Sequence, residues 1–165
     1  MANPAFSPAS GLFFEQFTIG QAITTDGRTV TETDVVNFAG LSGDYNPMHT
    51  NAVFAASTPF GQRVAHGALV FSLATGLAFQ MRFLSGTVLA FRGVDEWKFS
   101  APVLIGDTIH CAIEVEALKP AARLGGGMVT FKVKVVNQEG KSVQSGRWTV
   151  LVASQSSSDS STPSA

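Results

Sequence analysis

The stretch Val64-Ala-His-Gly-Ala-Leu-Val-Phe-Ser-Leu-Ala-Thr-Gly-Leu-Ala-Phe-Gln-Met81 is apolar or small at nearly every position, and Arg63 and Arg82 bracket it. Its length approaches the roughly 20 residues that a helix needs to cross a bilayer. Yet His66, Ser72, Thr75, Gln80 and two glycines lie inside it, and the downstream residues alternate like the strands of a soluble protein. A helix that is apolar all round lies in a core. The spacing therefore predicts a buried central helix from about Ala65 to Met81, and no membrane span.

Downstream of this helix the hydrophobic period changes to two. Thr108–Leu118 places Ile109, Cys111, Ile113, Val115 and Ala117 on one face. Met128–Val136 places Val129, Phe131, Val133 and Val135 on one face and Lys132 and Lys134 on the other. After Asn137-Gln-Glu-Gly140, Lys141–Ala153 alternates through Trp148, Val150 and Val152. Such runs joined by turns, with Gly125-Gly-Gly127 as one of them, predict an antiparallel meander. Each run exceeds the usual strand of about five or six residues. Val88–Phe91 and Asp95–Phe99 are expected to add further strands before the Ala101-Pro102 break. Long strands beside a wholly apolar helix imply an α+β domain whose sheet wraps around that helix.

Upstream, Phe14–Ile19 reads as a short turn and strand, and Thr29–Glu32 has strand character. Thr31 or Thr33 can cap a helix over Asp34–Ala39, where Val35, Phe38 and Ala39 recur at helical spacing. Asn46-Pro47 reads as the next helix start, with Asn46 as N-cap and Pro47 in the first position, and the helix running through Met48–Ala56. Residues 1–11 are expected to form a loose arm, 12–153 a single domain, and 154–165 a disordered Ser-rich tail.

Composition narrows the function. Of 165 residues, 45% are hydrophobic and 14% charged, and the formal net charge is −1, which is a globular and nearly neutral chain. It has no basic surplus for nucleic acid and no Lys/Arg cluster for an anionic membrane. The low charge density suggests apolar surface covered by a partner subunit. The single cysteine, Cys111, rules out an intrachain disulfide framework. Met1–Gly11 has neither a basic region nor a continuous apolar one, so the expected compartment is cytoplasmic and reducing.

Chemistry concentrates in Gly43-Asp-Tyr-Asn-Pro-Met-His49. With Asn46 as cap, His49 falls in the first helical turn, where the helix dipole disfavours imidazolium and keeps the ring a proton acceptor. Asp44, just before the cap, can reach the same small volume. Two titratable groups in different environments suit the addition of water, one taking a proton and the other helping to deliver one. On spacing alone the alternative is equal: Asp44 and Asn46 satisfy turn and cap hydrogen bonds, and His49 is a surface residue.

Other candidates are less suited. His66 at a helix start reads as a structural hydrogen-bond donor, with ligand or base as the alternative. Asp44, His49, His66 and His110 lack a recognised metal-ligand spacing, so no metal is expected. Cys111 falls on an apolar strand face and reads as core. Ser72 lacks the G-x-S-x-G elbow of a nucleophilic serine, and Gly125-Gly-Gly127 fails the phosphate-loop pattern. Arg28, Arg92, Lys98 and Arg123 are available to phosphates, but nothing in the sequence chooses among them.

Phe38-Ala-Gly-Leu-Ser-Gly-Asp-Tyr-Asn-Pro-Met-His49, with Phe54-Ala-Ala56 after it, resembles the hydratase signature of the MaoC-like, (R)-specific enoyl-CoA hydratase family. Val64-Ala-His-Gly-Ala-Leu-Val-Phe-Ser72 is similar to that family's second stretch, and Phe99-Ser-Ala-Pro-Val-Leu-Ile-Gly-Asp107 to its strand-entry motif. The three occur in family order, and the resemblance spans roughly Phe14 to Val152. It implies a hot-dog fold, in which an antiparallel sheet wraps a long helix, and homodimers or higher assemblies of dimers with acyl-CoA at or near the interface. The implied reaction is syn hydration of a trans-2-enoyl-CoA to the (3R)-3-hydroxyacyl-CoA, or dehydration in reverse, with CoA as the substrate's carrier and no cofactor. By motif position Asp44 and His49 would activate water, and the Gly67 N–H would polarise the thioester carbonyl. Ser72, Asn46 and His66 would stand around the substrate. Met48 replaces the usual Leu, Ile or Val, and Phe71 is bulkier than the small residue expected there. Leu89–Val94 also departs from the pattern, which leaves the acyl preference open. The rival readings are a thioesterase on the same fold and a non-catalytic acyl-CoA binding subunit.

Overall fold

A computed structural model describes residues 11–155. Residues 1–10 of the expected 1–11 arm and residues 156–165 of the expected 154–165 tail lie outside the described residues. Where the tail begins, the chain is still tied down: the Ser154 N–H donates to the Gly125 carbonyl at 3.0 Å, and the Gln155 N–H to Glu15 Oε2 at 3.0 Å.

Among the described residues the chain forms six strands and four α-helices. Strands β1 (Ala22–Thr24) and β2 (Arg28–Thr29) precede helices α1 (Glu32–Ser42), α2 (Pro47–Thr50), α3 (Ala52–Ala56) and α4 (Gly67–Gln80). Strands β3 (Val88–Phe99), β4 (Thr108–Ala121), β5 (Gly126–Val136) and β6 (Ser142–Ala153) follow. The sheet is antiparallel in the order β1-β4-β5-β6-β3, with the short β2 also paired to β4. Ile109, Cys111, Ile113 and Val115 from β4 face Val129, Phe131, Val133 and Val135 from β5, and all are at most 2% exposed. Against them α4 buries Leu69, Val70, Leu73, Ala74, Leu77 and Ala78. Each of the three leucines contributes on the order of 2 kcal/mol by leaving water. This is the hot-dog arrangement, with α4 as the filling. Among the described residues no helix is long and apolar enough to cross a membrane.

Local differences from the expected elements have identifiable causes. No strand forms over Phe14–Ile19. Phe14–Gln16 is a 3₁₀ turn, and pairing begins only at Ala22, where β4 becomes available. Of the Thr29–Glu32 stretch only Thr29 pairs, because Thr31 already caps α1: its Oγ1 accepts the Asp34 N–H, while the Asp34 carboxylate accepts the Thr31 N–H at 2.8 Å. The single helix expected over Met48–Ala56 is cut at Asn51, whose side chain accepts the Phe54 N–H and starts α3 anew. Val88–Phe99 is one strand with three register shifts, not two strands. In β4 a register shift between Val115 and Ala117 reverses the alternation, so Ala117 faces solvent and Leu118 packs against the core.

Candidate active site

The catalytic candidates sit where three elements meet at the N-terminus of α4. Helix α1 ends at Gly43, whose φ of 76° is left-handed and open to glycine at little cost. The chain then descends a ladder of side-chain-to-backbone bonds. Asp44 Oδ1 accepts the Asn46 N–H at 3.2 Å, and Asn46 Oδ1 accepts the Met48 N–H at 3.2 Å. The Asp44 N–H is held in turn by Ser42 Oγ, also at 3.2 Å. Asp44 is thereby fixed on an exposed turn, and the Asn46 oxygen is engaged as the expected N-cap.

His49 is 7% exposed, so it is not a surface residue. Its Nδ1 lies 2.7 Å from the Val64 carbonyl oxygen. A carbonyl can only accept, so Nδ1 carries the hydrogen, and in the neutral ring Nε2 bears the free lone pair. The tautomer is set by this backbone contact. Helix α2 is a single turn of four residues, too short for a substantial dipole; the Val64 carbonyl makes the selection.

His66 is 2% exposed and spans the site. Its Nε2 donates to the main-chain carbonyl of Asp44 at 2.9 Å, which is the structural hydrogen bond expected of it. Its ring stacks on His49 with centroids 3.8 Å apart and planes inclined by 30°, and Phe38 of α1 packs on it at 5.1 Å. The remaining nitrogen, Nδ1, is buried and has no hydrogen-bond partner among the described residues.

Asp44, His49 and His66 each offer a donor atom, and these atoms lie within 4.8 Å of one another, while His110 on β4 stands apart. Imidazole lone pairs lie in the ring plane. Near-parallel stacked rings aim them side by side, which does not suit convergence on one ion at the roughly 2.0–2.1 Å of a zinc–nitrogen bond.

Gly67 opens α4 directly after His66. No side chain caps this end, so the first N–H groups of the helix remain available to a ligand. The Gly67 carbonyl accepts Gln144 Nε2 at 2.9 Å, and Gln144 Oε1 accepts Trp97 Nε1–H at 3.0 Å. A Cβ on residue 67 would stand 2.8 Å from the Phe99 ring, so only glycine fits unless that ring moves. His49, Gly67, Ala68, Phe99 and Gln144 share the wall of a cavity of about 530 Å³ that Val64, Val70 and Val103 make largely apolar. A second apolar cavity, of about 270 Å³, lies between the C-terminal half of α4 and strands β3 and β6.

Of the remaining candidates, Ser72 is exposed, bonds to the Ala68 carbonyl of its own helix at 2.9 Å, and lies outside the walls of both cavities. Arg28 is engaged by Asp34 at 2.6 Å. Cys111 is fully buried, and burial pushes its thiol up to about 12. Val64, Phe99, Trp97 and Gln144 carry the site's support; Val64 and Phe99 stand in the quoted motifs without an assigned role, and Trp97 and Gln144 belong to none of them. Gln144 had a readable signal: it is a polar residue on the same strand phase as the inward Trp148, Val150 and Val152.

Residues 14–139 match the family described as MaoC like domain. The (R)-specific enoyl-CoA hydratase of Rhodospirillum rubrum is 35% identical over 144 residues, covering 85% of this chain and 91% of that protein. Protein MaoC of Klebsiella aerogenes is 41% identical over 98 residues, 59% of this chain but only 29% of that longer protein. Among solved structures, a protein from Archaeoglobus fulgius described as a monoamine oxidase regulatory protein superposes with a TM-score of 0.83 at 38% identity, covering 90% of this chain and 99% of that one.

Proposed function

Because this chain belongs to the family of MaoC-like dehydratase domains, we propose that it reversibly hydrates a trans-2-enoyl-CoA to the (3R)-3-hydroxyacyl-CoA. The observation that carries this reading is the approach of the Asp44 carboxylate and the His49 ring to within 4.8 Å, beside the uncapped start of α4. Water held between Asp44 and His49 Nε2 gives up one proton to the pair as its oxygen bonds to C3. Negative charge moves to the thioester oxygen, where the Gly67 N–H receives it, a type of contact that commonly stabilises a transition state by about 3 kcal/mol. A proton returned to C2 on the same face completes a syn addition. The balance needs neither a metal nor a redox cofactor.

We further propose that the chain works as a homodimer in the cytoplasm, with acyl-CoA near the subunit interface. Strand β3 supports the pairing. It is a sheet edge, and its Val88, Leu89, Phe91, Val94 and Phe99 are all at least 41% exposed, which an isolated soluble domain usually avoids.

The test is the loss of conjugated-enoyl absorbance when the protein is mixed with a panel of trans-2-enoyl-CoAs, with free thiol followed in parallel. Absorbance should fall without thiol release, and Asp44→Asn should remove nearly all of the activity while the fold persists. An Asp44→Asn variant as active as wild type would overturn the assignment. Stoichiometric thiol release would make the protein a thioesterase instead.

A further inference from the structure

The two cavities follow one another along the same three elements, and the residues that fall between them on those elements, Phe71, Trp97 and Trp148, are all aromatic; of the three only Trp148 belongs to a cavity wall, that of the second. On α4, Gly67 and Ala68 face the catalytic cavity, and Thr75, Ala78 and Phe79 face the second. Phe71 lies between, one turn from each set. On β6, Gln144 belongs to the first cavity and Val150 to the second, with Trp148 at the boundary. Strand β3 repeats the order. Phe99, paired with Gln144, lines the first cavity, and Phe91, paired with Val150, lines the second, with Trp97 between them.

The middle residues touch. Phe71 meets Trp97 edge-on, with centroids 4.9 Å apart and planes at 90°, and meets Trp148 at 5.9 Å and 80°. Trp97 and Trp148 lie almost parallel, at 5.7 Å and 14°. The layer is anchored. Trp97 Nε1 donates to the buried Gln144, and the Trp97 ring covers Gly146 so closely that a Cβ there would stand 2.6 Å from it. A layer held in place through Trp97 does not yield to a passing alkyl chain at little cost.

We propose that Phe71, backed by Trp97 and Trp148, sets the acyl-chain limit of this protein and makes it selective for short 2-enoyl groups. The inference rests on the proposed hydration, which fixes the thioester carbonyl beside the Gly67 N–H. From Gly67 to Phe71 the helix rises only about 6 Å. An extended alkyl chain advances somewhat less than one C–C bond of about 1.5 Å per carbon, so that is room for about four or five carbons before the ring is reached. A longer chain has its natural continuation in the second cavity, behind the wall.

Hydration of crotonyl-CoA and trans-2-octenoyl-CoA by wild type, Phe71→Ala and the milder Phe71→Leu tests the proposal. Wild type should prefer the short substrate in kcat/KM by roughly tenfold or more, and Phe71→Ala should shift the octenoyl-to-crotonyl ratio toward the longer one by about tenfold, the scale on which pocket contacts discriminate alkyl groups. Phe71→Leu should shift it in the same direction by less. A wild-type enzyme indifferent to length, or folded variants whose ratio stays put, would sink the partition while leaving the hydratase standing. Calorimetric binding of butyryl-CoA and octanoyl-CoA, which hold no double bond to hydrate, separates the two ideas. A length preference in binding that moves with residue 71, with no hydration of any enoyl-CoA, keeps the partition and removes the reaction.

Discussion

His49 and His66 stack face to face at 3.8 Å, and each gives its ring hydrogen to a main-chain carbonyl, His49 to Val64 and His66 to Asp44. One buried ring thus touches both members of the proposed proton-transfer pair. His66 holds the turn that carries Asp44 and supports the face of the His49 ring. Its place is that of a positioning residue.

Two variants separate these contributions. His66→Gln keeps an N–H near the position of Nε2 and loses the stacking face, whereas His66→Phe keeps the face and loses the donor. Each should lower kcat by about tenfold to a hundredfold with KM changed far less, since small misplacements of reacting groups cost on that scale. Steady-state hydration kinetics beside near-UV circular dichroism check this. If KM rises and kcat holds, His66 contacts substrate and does not serve to orient the pair.

Gly67 and Phe99 should be energetically coupled. Gly67→Ala forces the Phe99 ring from its seat at the end of β3. Because that residue is 62% exposed and can swing outward, the expected stability loss is about 1 kcal/mol, at the low end of the overpacking range. In a double-mutant cycle with Phe99→Ala, measured by urea unfolding, most of this loss should vanish. Strict additivity would show that the ring does not rest on Gly67.

Gln144 is 2% exposed and satisfies two half-buried partners, the Trp97 indole N–H and the Gly67 carbonyl. Gln144→Leu preserves bulk but leaves the Trp97 N–H without its acceptor and removes the Gly67 carbonyl's side-chain donor, which should cost about 1–3 kcal/mol. The shift in urea midpoint reports it. A variant as stable as wild type would show that water replaces both bonds.

Cys111 supplies a pH dependence whose sign is fixed by burial. The thiol is pushed up to about 12 in the native protein, from an ordinary value of 9.0. Between those values the unfolded chain releases its proton and the native chain keeps it, so Cys111 lends stability that is whole below pH 9 and fades as pH rises through 12. Cys111→Ala should flatten the alkaline fall of the urea midpoint. In the native wild type a thiol reagent at pH 8 should react only as fast as the protein opens; rapid stoichiometric labelling would contradict the burial.

Period and punctuation made most of this fold readable. The apolar run after Arg63 and the two-residue alternation of β4, β5 and β6 reflect burial, which acts on every residue of an element alike. The Asn46-Pro47 cap was legible because a cap is a local bond. Asn51 is also a local cap, yet it lies inside an apolar pattern that reads as continuous, and the pattern hid it. The site divided along the same line. Asp44, His49 and Gly67 come from two short motifs, but the contacts made by the Val64 carbonyl, the Gln144 amide and the Phe71 ring join separate elements, which no spacing encodes. The tautomer of His49 likewise rests on a carbonyl 15 residues away, a contact that no local pattern encodes.

That both histidines are held by backbone oxygen bears on how such a site endures mutation. A side-chain partner is erased by one codon change. The oxygens of Val64 and Asp44 are present whatever residue occupies those positions, so the ring tautomers are inherited with the path of the chain. Drift in the surrounding sequence can reshape the acyl cavity, exchange one aliphatic residue for another and retune what is accepted, while the orientation of the imidazoles stays out of its reach.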